Sequence, residues 1–374
     1  MFNTWDRKSR FLAGLGFWMM ALSAGVAGAA SVSARLDLAN PPEWFRTPEA
    51  ASAAANILSY QAANGGFPKN IDTPAGLYTG DPDDLLPTFD NSATTDELRF
   101  LGHIYAATQI EKYRVAFLKG VDYVLVAQYP TGGWPQSYPP GHNDYDHYIT
   151  YNDGAMARLM FFLKEISEDP TYSFLDDDRR ARCKQAWDRG VQCILKCQIR
   201  VNGKVTAWCQ QHDEFDFSPR PGRTFEPVAL TTNESVGITH VLMNDEHPTP
   251  QIIAAVDAAV AWLKSVTIYH TRVDDRPQKD TPRGFERFII YDPSAPPIWA
   301  RYYEIGTNRP IFVGRDGIVR YDLSEIEIER RTGYQWYKYW PRDLVNSQYA
   351  VWKAKIAAPA TQPSVPSPGT PGEG

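Results

Sequence analysis

The chain has 374 residues, 43% hydrophobic and 22% charged, which is enough apolar material for one large domain or two ordinary ones. A formal net charge of −6 argues against a nucleic-acid binder, which would carry a basic stripe to meet phosphates. Aromatic residues reach 13%; most serve packing, but flat rings also stack on sugar faces.

The N-terminus reads as a signal peptide over residues 1–30. Arg7, Lys8 and Arg10 precede an apolar stretch from Phe11 to Val26, and Ala27, Gly28, Ala29 and Ala30 supply a small-residue cleavage site. That stretch is short for a membrane span and contains Gly and Ser. The expectation is therefore export to the periplasm or the medium, without stable membrane insertion. A single folded domain over 31–357 and a disordered Pro/Gly/Ser-rich tail over 358–374 complete the expected organisation.

A phrase then repeats. "NGGFPKN" at 64–70 returns as "TGGWPQS" at 131–137 and, degraded, in "CILKCQIRVNGKVTAWCQQ". Gln61, Gln128 and Gln198 mark the same place in each copy, 67 and 70 residues apart, a period that signals a structural unit. The content between copies is helical by spacing. Leu98, Leu101 and Tyr105 keep one face, as do Leu118, Val121 and Leu125 on the next segment. Ala155, Leu159, Phe162 and Ile166 follow, then Trp187, Gly190, Ile194 and Cys197, and later Val256, Val260 and Leu263. The predicted fold is mainly α: an (α/α)3 toroid or partial α-barrel of helical hairpins, with doubled glycines freeing the tight exit from each second helix.

At the start of the first helices stand "FDNSATTDE", "TYNDGAMA" and "TTNESVGI", each with an amide beside an acid. Asp90–Asn91 and Asn152–Asp153 offer the hard oxygen donors that Ca2+ prefers. For the third cluster, Thr231 to Glu234, the spacing predicts a capping box, and Thr94 to Glu97 also fits one.

Cys193 and Cys197 lie four apart on one predicted helix, a poor geometry for a mutual disulfide. A Cys197–Cys209 bridge and four buried thiols, Cys183 included, both stay open. From about Arg283 the texture becomes aromatic, arginine-rich and turn-rich, and "RPIFVGRDGIVRYDL" predicts a small β-hairpin around Asp316–Gly317. Arginines recur there, at 301, 309, 315, 320, 330 and 331, and the planar guanidinium grips carboxylates at two points. Oxygen donors at one rim, arginines in late loops and many aromatics together suit a polyanionic sugar such as a polyuronate.

The ordered phrases "NGGFPKN", "FDNSATTDELRFL", "GGWPQSYP", "YITYNDGAMARLM", "ILKCQI", "AWCQQHD", "PRPGRTFEP", "NESVGI", "WARYYEI", "RPIFVGRDG" and "ERRTGYQWY" resemble the family 10 pectate lyases over essentially the whole domain. The resemblance implies an (α/α)3 toroid that cleaves de-esterified homogalacturonan by anti β-elimination, with Ca2+ as cofactor, as a monomer. It assigns Asp90, Asn91 and Asp153 to calcium and Arg315 to the catalytic base. Arg223, Arg301 and Arg330 fall to substrate carboxylates. Two other readings compete. "QHDEFDF" offers Asp213, Glu214 and Asp216 as paired carboxylates for a glycoside hydrolase on an (α/α) toroid. An exported, aromatic-rich protein could also bind pectin without cutting it.

Overall fold

Apolar residues at helical spacing form helices in the expected order. The computed structural model describes residues 38–357, so the expected signal peptide and tail lie outside the described residues. Helix α1 (Pro48–Ser59) is started by Thr47, whose hydroxyl accepts the Ala50 N–H at 3.2 Å, and by Pro48 in the first turn. Helices α2 (Thr95–Thr108) and α3 (Glu111–Val126) pack together, as do α4 (Ala155–Glu168) and α5 (Asp177–Cys197), and α6 (Thr232–Met243) and α7 (Pro250–Ser265). Two further helices, α8 (Ile328–Gly333) and α9 (Tyr349–Ala357), come last among the described residues.

The sequence period has a physical cause in hydrogen bonds. After α1, Gln61 donates its amide N–H to Ala116 O of α3 at 2.8 Å and to Gly65 O at 3.0 Å. Gln128 does the same to Ala186 O of α5 at 2.8 Å and Gly132 O at 2.9 Å. Gln198 repeats it to Ala255 O of α7 at 2.9 Å and Thr206 O at 3.0 Å. Each copy thus ties the exit of one hairpin to the second helix of the next. Gly65 and Gly132 sit at φ of +104° and +100°, and a Cβ on either would run into the backbone carbonyl of Lys119 or Arg189. Trp134, Trp208 and Trp299 bury their indoles and donate back to Val124 O, Ile194 O and Leu263 O at 2.8–2.9 Å.

The hairpins do not make up the domain, and the expected mainly α toroid is corrected. Helices account for about 47% of the described residues and strands for 13%, the latter in small sheets. Residues 149–150, 211–212 and 219–220 form a three-stranded antiparallel sheet between hairpins. A seven-residue ribbon, β1 (Thr271–Pro277) against β2 (Phe285–Tyr291), projects after α7. Two-residue strands are too short to display a period of two. The ribbon escapes notice because neither strand buries one clean face. The hairpin around Asp316–Gly317 forms as expected, with Phe312 opposite Arg320 and Val313 opposite Val319.

A large core joins the helices, and a smaller one gathers Ala229, Tyr302, Ile311, Phe312, Leu323, Ile326 and Trp336. The four cysteines are buried free thiols, so the Cys197–Cys209 bridge is not made. Cys193 and Cys197 place their sulfurs 3.9 Å apart on one helix. Among the described residues no helix is long and apolar enough to cross a membrane.

Candidate active site

The repeat also places the site. Thr88, Thr150 and Thr231 each donate a backbone N–H to the carbonyl of the exit-loop aromatic, Phe67, Trp134 or Trp208, at 2.9–3.0 Å. The next residues then occupy equivalent places at the starts of the first helices: Asp90–Asn91, Asn152–Asp153 and Asn233–Glu234. In the first two copies a 3-10 turn intervenes, and Asn91 and Asp153 adopt left-handed φ of 52° and 49°. Asn and Asp tolerate that region better than other residues, which is why this amide–acid pattern is found there. In the third copy the chain enters α6 directly, and the Thr231 side chain makes no capping bond. Thr94 makes none either. Glu234 turns inward instead, so the capping-box expectation is corrected at both places.

Four residues meet at the floor. Arg301 donates from Nη2 to Glu234 Oε1 at 2.6 Å, Asn152 Oδ1 at 3.0 Å and Asp153 Oδ1 at 3.4 Å. Burial alone would lower its pKa, but Glu234 and the other acids outweigh that and hold it well above the ordinary value. Arg301 is 5% exposed, so of the expected substrate-gripping arginines it is the least open to a ligand. Asp90 is buried, pairs one carboxylate oxygen with Lys69 Nζ at 2.5 Å, and leaves Oδ1 with no partner. Asn91 donates its amide N–H to Asn70 Oδ1 at 2.9 Å, which leaves its carbonyl oxygen as acceptor. Arg158 donates to the Asp153 backbone carbonyl at 2.5 Å, with Asp96, Asp153 and Asp90 among its charged neighbours.

The remaining expected arginines surround one ring. The guanidinium carbons of Arg223, Arg315 and Arg330 lie 4.8, 5.1 and 4.5 Å from the Phe225 centroid. Glu226, buried beside Phe225, takes Arg223 Nη2 at 2.5 Å, Nε at 3.1 Å and the Tyr334 hydroxyl at 3.2 Å. Asn152 Nδ2 reaches the same carboxylate at 3.4 Å, which links the arginine group to the oxygen donors. Glu329 accepts from both Arg315 and Arg330 at 2.6–3.2 Å, and these bonds, Arg330's first, hold its carboxyl at about 2. The Glu329 bond in turn raises Arg315 above its ordinary value. Asp153, Arg301, Arg223, Arg315 and Arg330 are thus linked by hydrogen bonds and ring contacts, while Asp90, with Asn91 next to it, reaches them through the charge of Arg158.

The pectic acid lyase family profile matches residues 61–345. The chain belongs to the pectic acid lyase family. Among solved structures, the family 10 polysaccharide lyase from Cellvibrio cellulosa is 34% identical with a TM-score of 0.73, over 85% of this chain and 98% of that one. An aspartate-to-alanine mutant of it, in complex with trigalacturonic acid, gives the same identity and TM-score over 84% and 97%. No curated protein matches the chain. The chain is thus an enzyme, a pectate lyase.

Sequence reasoning missed several parts of this lyase's site. Phe225, Glu226, Tyr334, Glu329 and Lys69 all lie within or beside quoted phrases, but nothing in their spacing marks them. Two of the alternative carboxylates serve a turn: Asp213 Oδ1 accepts the N–H groups of Phe215 and Asp216 and its Oδ2 takes Arg220 at 2.8 Å, and Asp216 Oδ1 accepts from Ser218, while Glu214 Oε2 is buried with no partner. Burial would raise the Asp213 carboxyl, yet these donors hold it below the usual range, which is unsuited to a general acid. A cavity of about 580 Å3 bounded by Asp188, Arg189, Lys196 and Thr249 shares no residue with this group.

Proposed function

We propose that the lyase is a calcium-dependent enzyme that cleaves de-esterified polygalacturonate by anti β-elimination. The observation that carries this is the connected group itself. Oxygen donors at one end and three guanidiniums at the other are joined through Asn152, Glu226 and Arg301. That arrangement suits a chain bearing a carboxylate on every sugar.

The residues fit a hard cation. Asp90 Oδ1 is a buried acceptor without a partner, and Asp153 and the Asn91 carbonyl add oxygen donors. No group of three or more acidic, His or Cys side chains that could hold a metal is present among the described residues, so the substrate's own carboxylate would complete the ligand set. Bound there, Ca2+ would draw charge from the uronate carboxylate and make the neighbouring C5 proton more acidic. Arg223 and Arg330 hold substrate carboxylates, while Arg301 orients Asp153 and Asn152 from beneath.

Arg315 takes the C5 proton through its neutral form. The C5–H electrons become the C4=C5 bond, the C4–O bond breaks, and the departing sugar oxygen collects a proton. No water is consumed. Crowding by Arg223 lowers the Arg315 pKa, but Glu329 opposes this more strongly. The base therefore works at alkaline pH, and Glu329 must release it. Arg223 is a second reading for the base, favoured by one observation. Asp153 is among the charges that act on it, after Glu226 and Tyr334, whereas Glu329, Glu327 and Arg223 are the charges that act on Arg315.

Residues 1–30 support export as a signal peptide, since a polymeric substrate is met outside the cell. The catalytic unit is then 31–357, acting as a monomer. Product analysis of a polygalacturonate digest tests the reading. New ends carrying a C4=C5 bond support elimination, whereas saturated new ends would replace it with hydrolysis.

A further inference from the structure

At the tip of the β1–β2 ribbon, the turn from Gln278 to Gly284 is closed by Gln278 N–H to Gly284 O at 2.9 Å and by the Thr281 hydroxyl to Phe285 O at 2.8 Å. The ribbon is fixed against α8. Arg331 of α8 forms a two-point pair with Glu286 of β2, both bonds at 2.8 Å, and Arg287 donates to Tyr334 O at 3.2 Å. This brings Arg283, in the tip, beside Gly333 at the end of α8. The position a Gly333 Cβ would take is 3.1 Å from Arg330 Nη2, 3.3 Å from Arg283 Nε and 3.4 Å from Arg283 Nη2. Two guanidiniums therefore face one point, and Arg283 offers it the Nε–Nη2 edge, whose parallel N–H bonds match a carboxylate.

Like charges at that distance need a reason. Arg283 makes no hydrogen bond or ion pair among the described residues and is exposed. Of the ribbon's acids, Glu286 is taken by Arg331 and Asp275 by Arg287 at 2.7 Å, while Asp280 of the same turn makes no ion pair with Arg283. Glu329 is shared by Arg315 and Arg330. The surplus positive charge is thus continuous with the arginine group around Phe225. Arg283 also lies outside every phrase that carries the family resemblance.

We propose that Arg283 and Arg330, facing each other across Gly333, form a further carboxylate-binding subsite that holds an additional uronate of a long substrate. This rests on the lyase reading above, because Arg330 is shared with it. Gly333 is part of the subsite, since a side chain there would stand where the carboxylate docks.

The test compares wild type, Arg283→Gln, Arg283→Lys and Gly333→Ala. Binding of an oligogalacturonate long enough to span the groove is titrated in the presence of chelator at two salt concentrations, and initial rates are measured with calcium. Arg283→Gln is expected to weaken binding about fivefold, with a shallower salt dependence, and to raise KM rather than change kcat. Arg283→Lys recovers part of the loss, because the charge stays but the two-point edge does not. Gly333→Ala weakens binding with both arginines in place. Wild-type affinity and KM in Arg283→Gln, from preparations whose parent still makes unsaturated product, would overturn the subsite and leave the lyase reading intact. A parent that binds but makes no unsaturated product would overturn the lyase reading, and the Arg283→Gln affinity would still decide the subsite.

Discussion

Arg301 and Glu234 meet at 2.6 Å with their side chains 6% and 0% exposed, and the same guanidinium nitrogen holds Asn152 and Asp153. A buried pair broken on one side leaves an uncompensated charge. Glu234→Gln should therefore cost about 3 kcal/mol in denaturant unfolding. Because Asp153 is steered by the same nitrogen, the variant should also need more calcium for half-maximal rate. A calcium titration that overlays the wild type would separate Glu234 from the proposed calcium ligands.

The repeated glutamines are structural. Gln128 donates two bonds to carbonyls and accepts from Arg189 at 3.1 Å, in a position 9% exposed. Gln128→Met should cost about 2 kcal/mol, since it strands buried carbonyls, with KM unchanged. Gln61, less buried, should cost less on the same substitution. Equal costs would mean that burial does not set the penalty.

The base makes a directional prediction about pH. Glu329 raises the Arg315 pKa, so at a given pH it reduces the neutral fraction that can accept a proton. Glu329→Gln removes that carboxylate and should move the ascending limb of kcat/KM toward lower pH. Glu226→Gln should instead shift the profile if Arg223 is the base, because Glu226 is its partner. The two pH profiles, read side by side, decide between the arginines.

Stability should also depend on one buried acid. Burial, with Asp96 beside it, pushes the Glu97 carboxyl up from 4.5 to about 8, and its Oε2 has no partner. A raised folded value gives stability that is complete below the unfolded pKa and lost as pH climbs through the folded one. Wild type should thus lose stability between pH 4.5 and 8 relative to Glu97→Gln, which keeps the uncharged form. Parallel melting curves for the two proteins across that window would contradict this.

Much of the site was legible because chemistry left local marks. Asp90–Asn91 and Asn152–Asp153 announced oxygen donors, and the arginines announced carboxylates. The helical hairpins were legible from the 3.6 period, and the glutamines from their recurrence. The share of β structure was not, because two-residue strands carry no period and the β1–β2 ribbon has no buried face. Glu226 and Phe225 were missed for another reason: their roles depend on Tyr334 and Arg330, more than a hundred residues away, which only folding brings near. Glu234 was misread because a local cap and a distant partner compete for the same side chain, and Arg301 wins as the buried charge that needs it.

The central claim joins elimination to calcium at Asp90, Asn91 and Asp153. It is tested most directly by following the ultraviolet absorbance of the unsaturated uronide on mixing wild type and Asp153→Ala with polygalacturonate, with calcium added and then chelated. The account predicts a rise for wild type that stops on chelation, and a rise for Asp153→Ala that needs far more calcium. A rise indifferent to chelator, or an unchanged calcium requirement in Asp153→Ala, would contradict it.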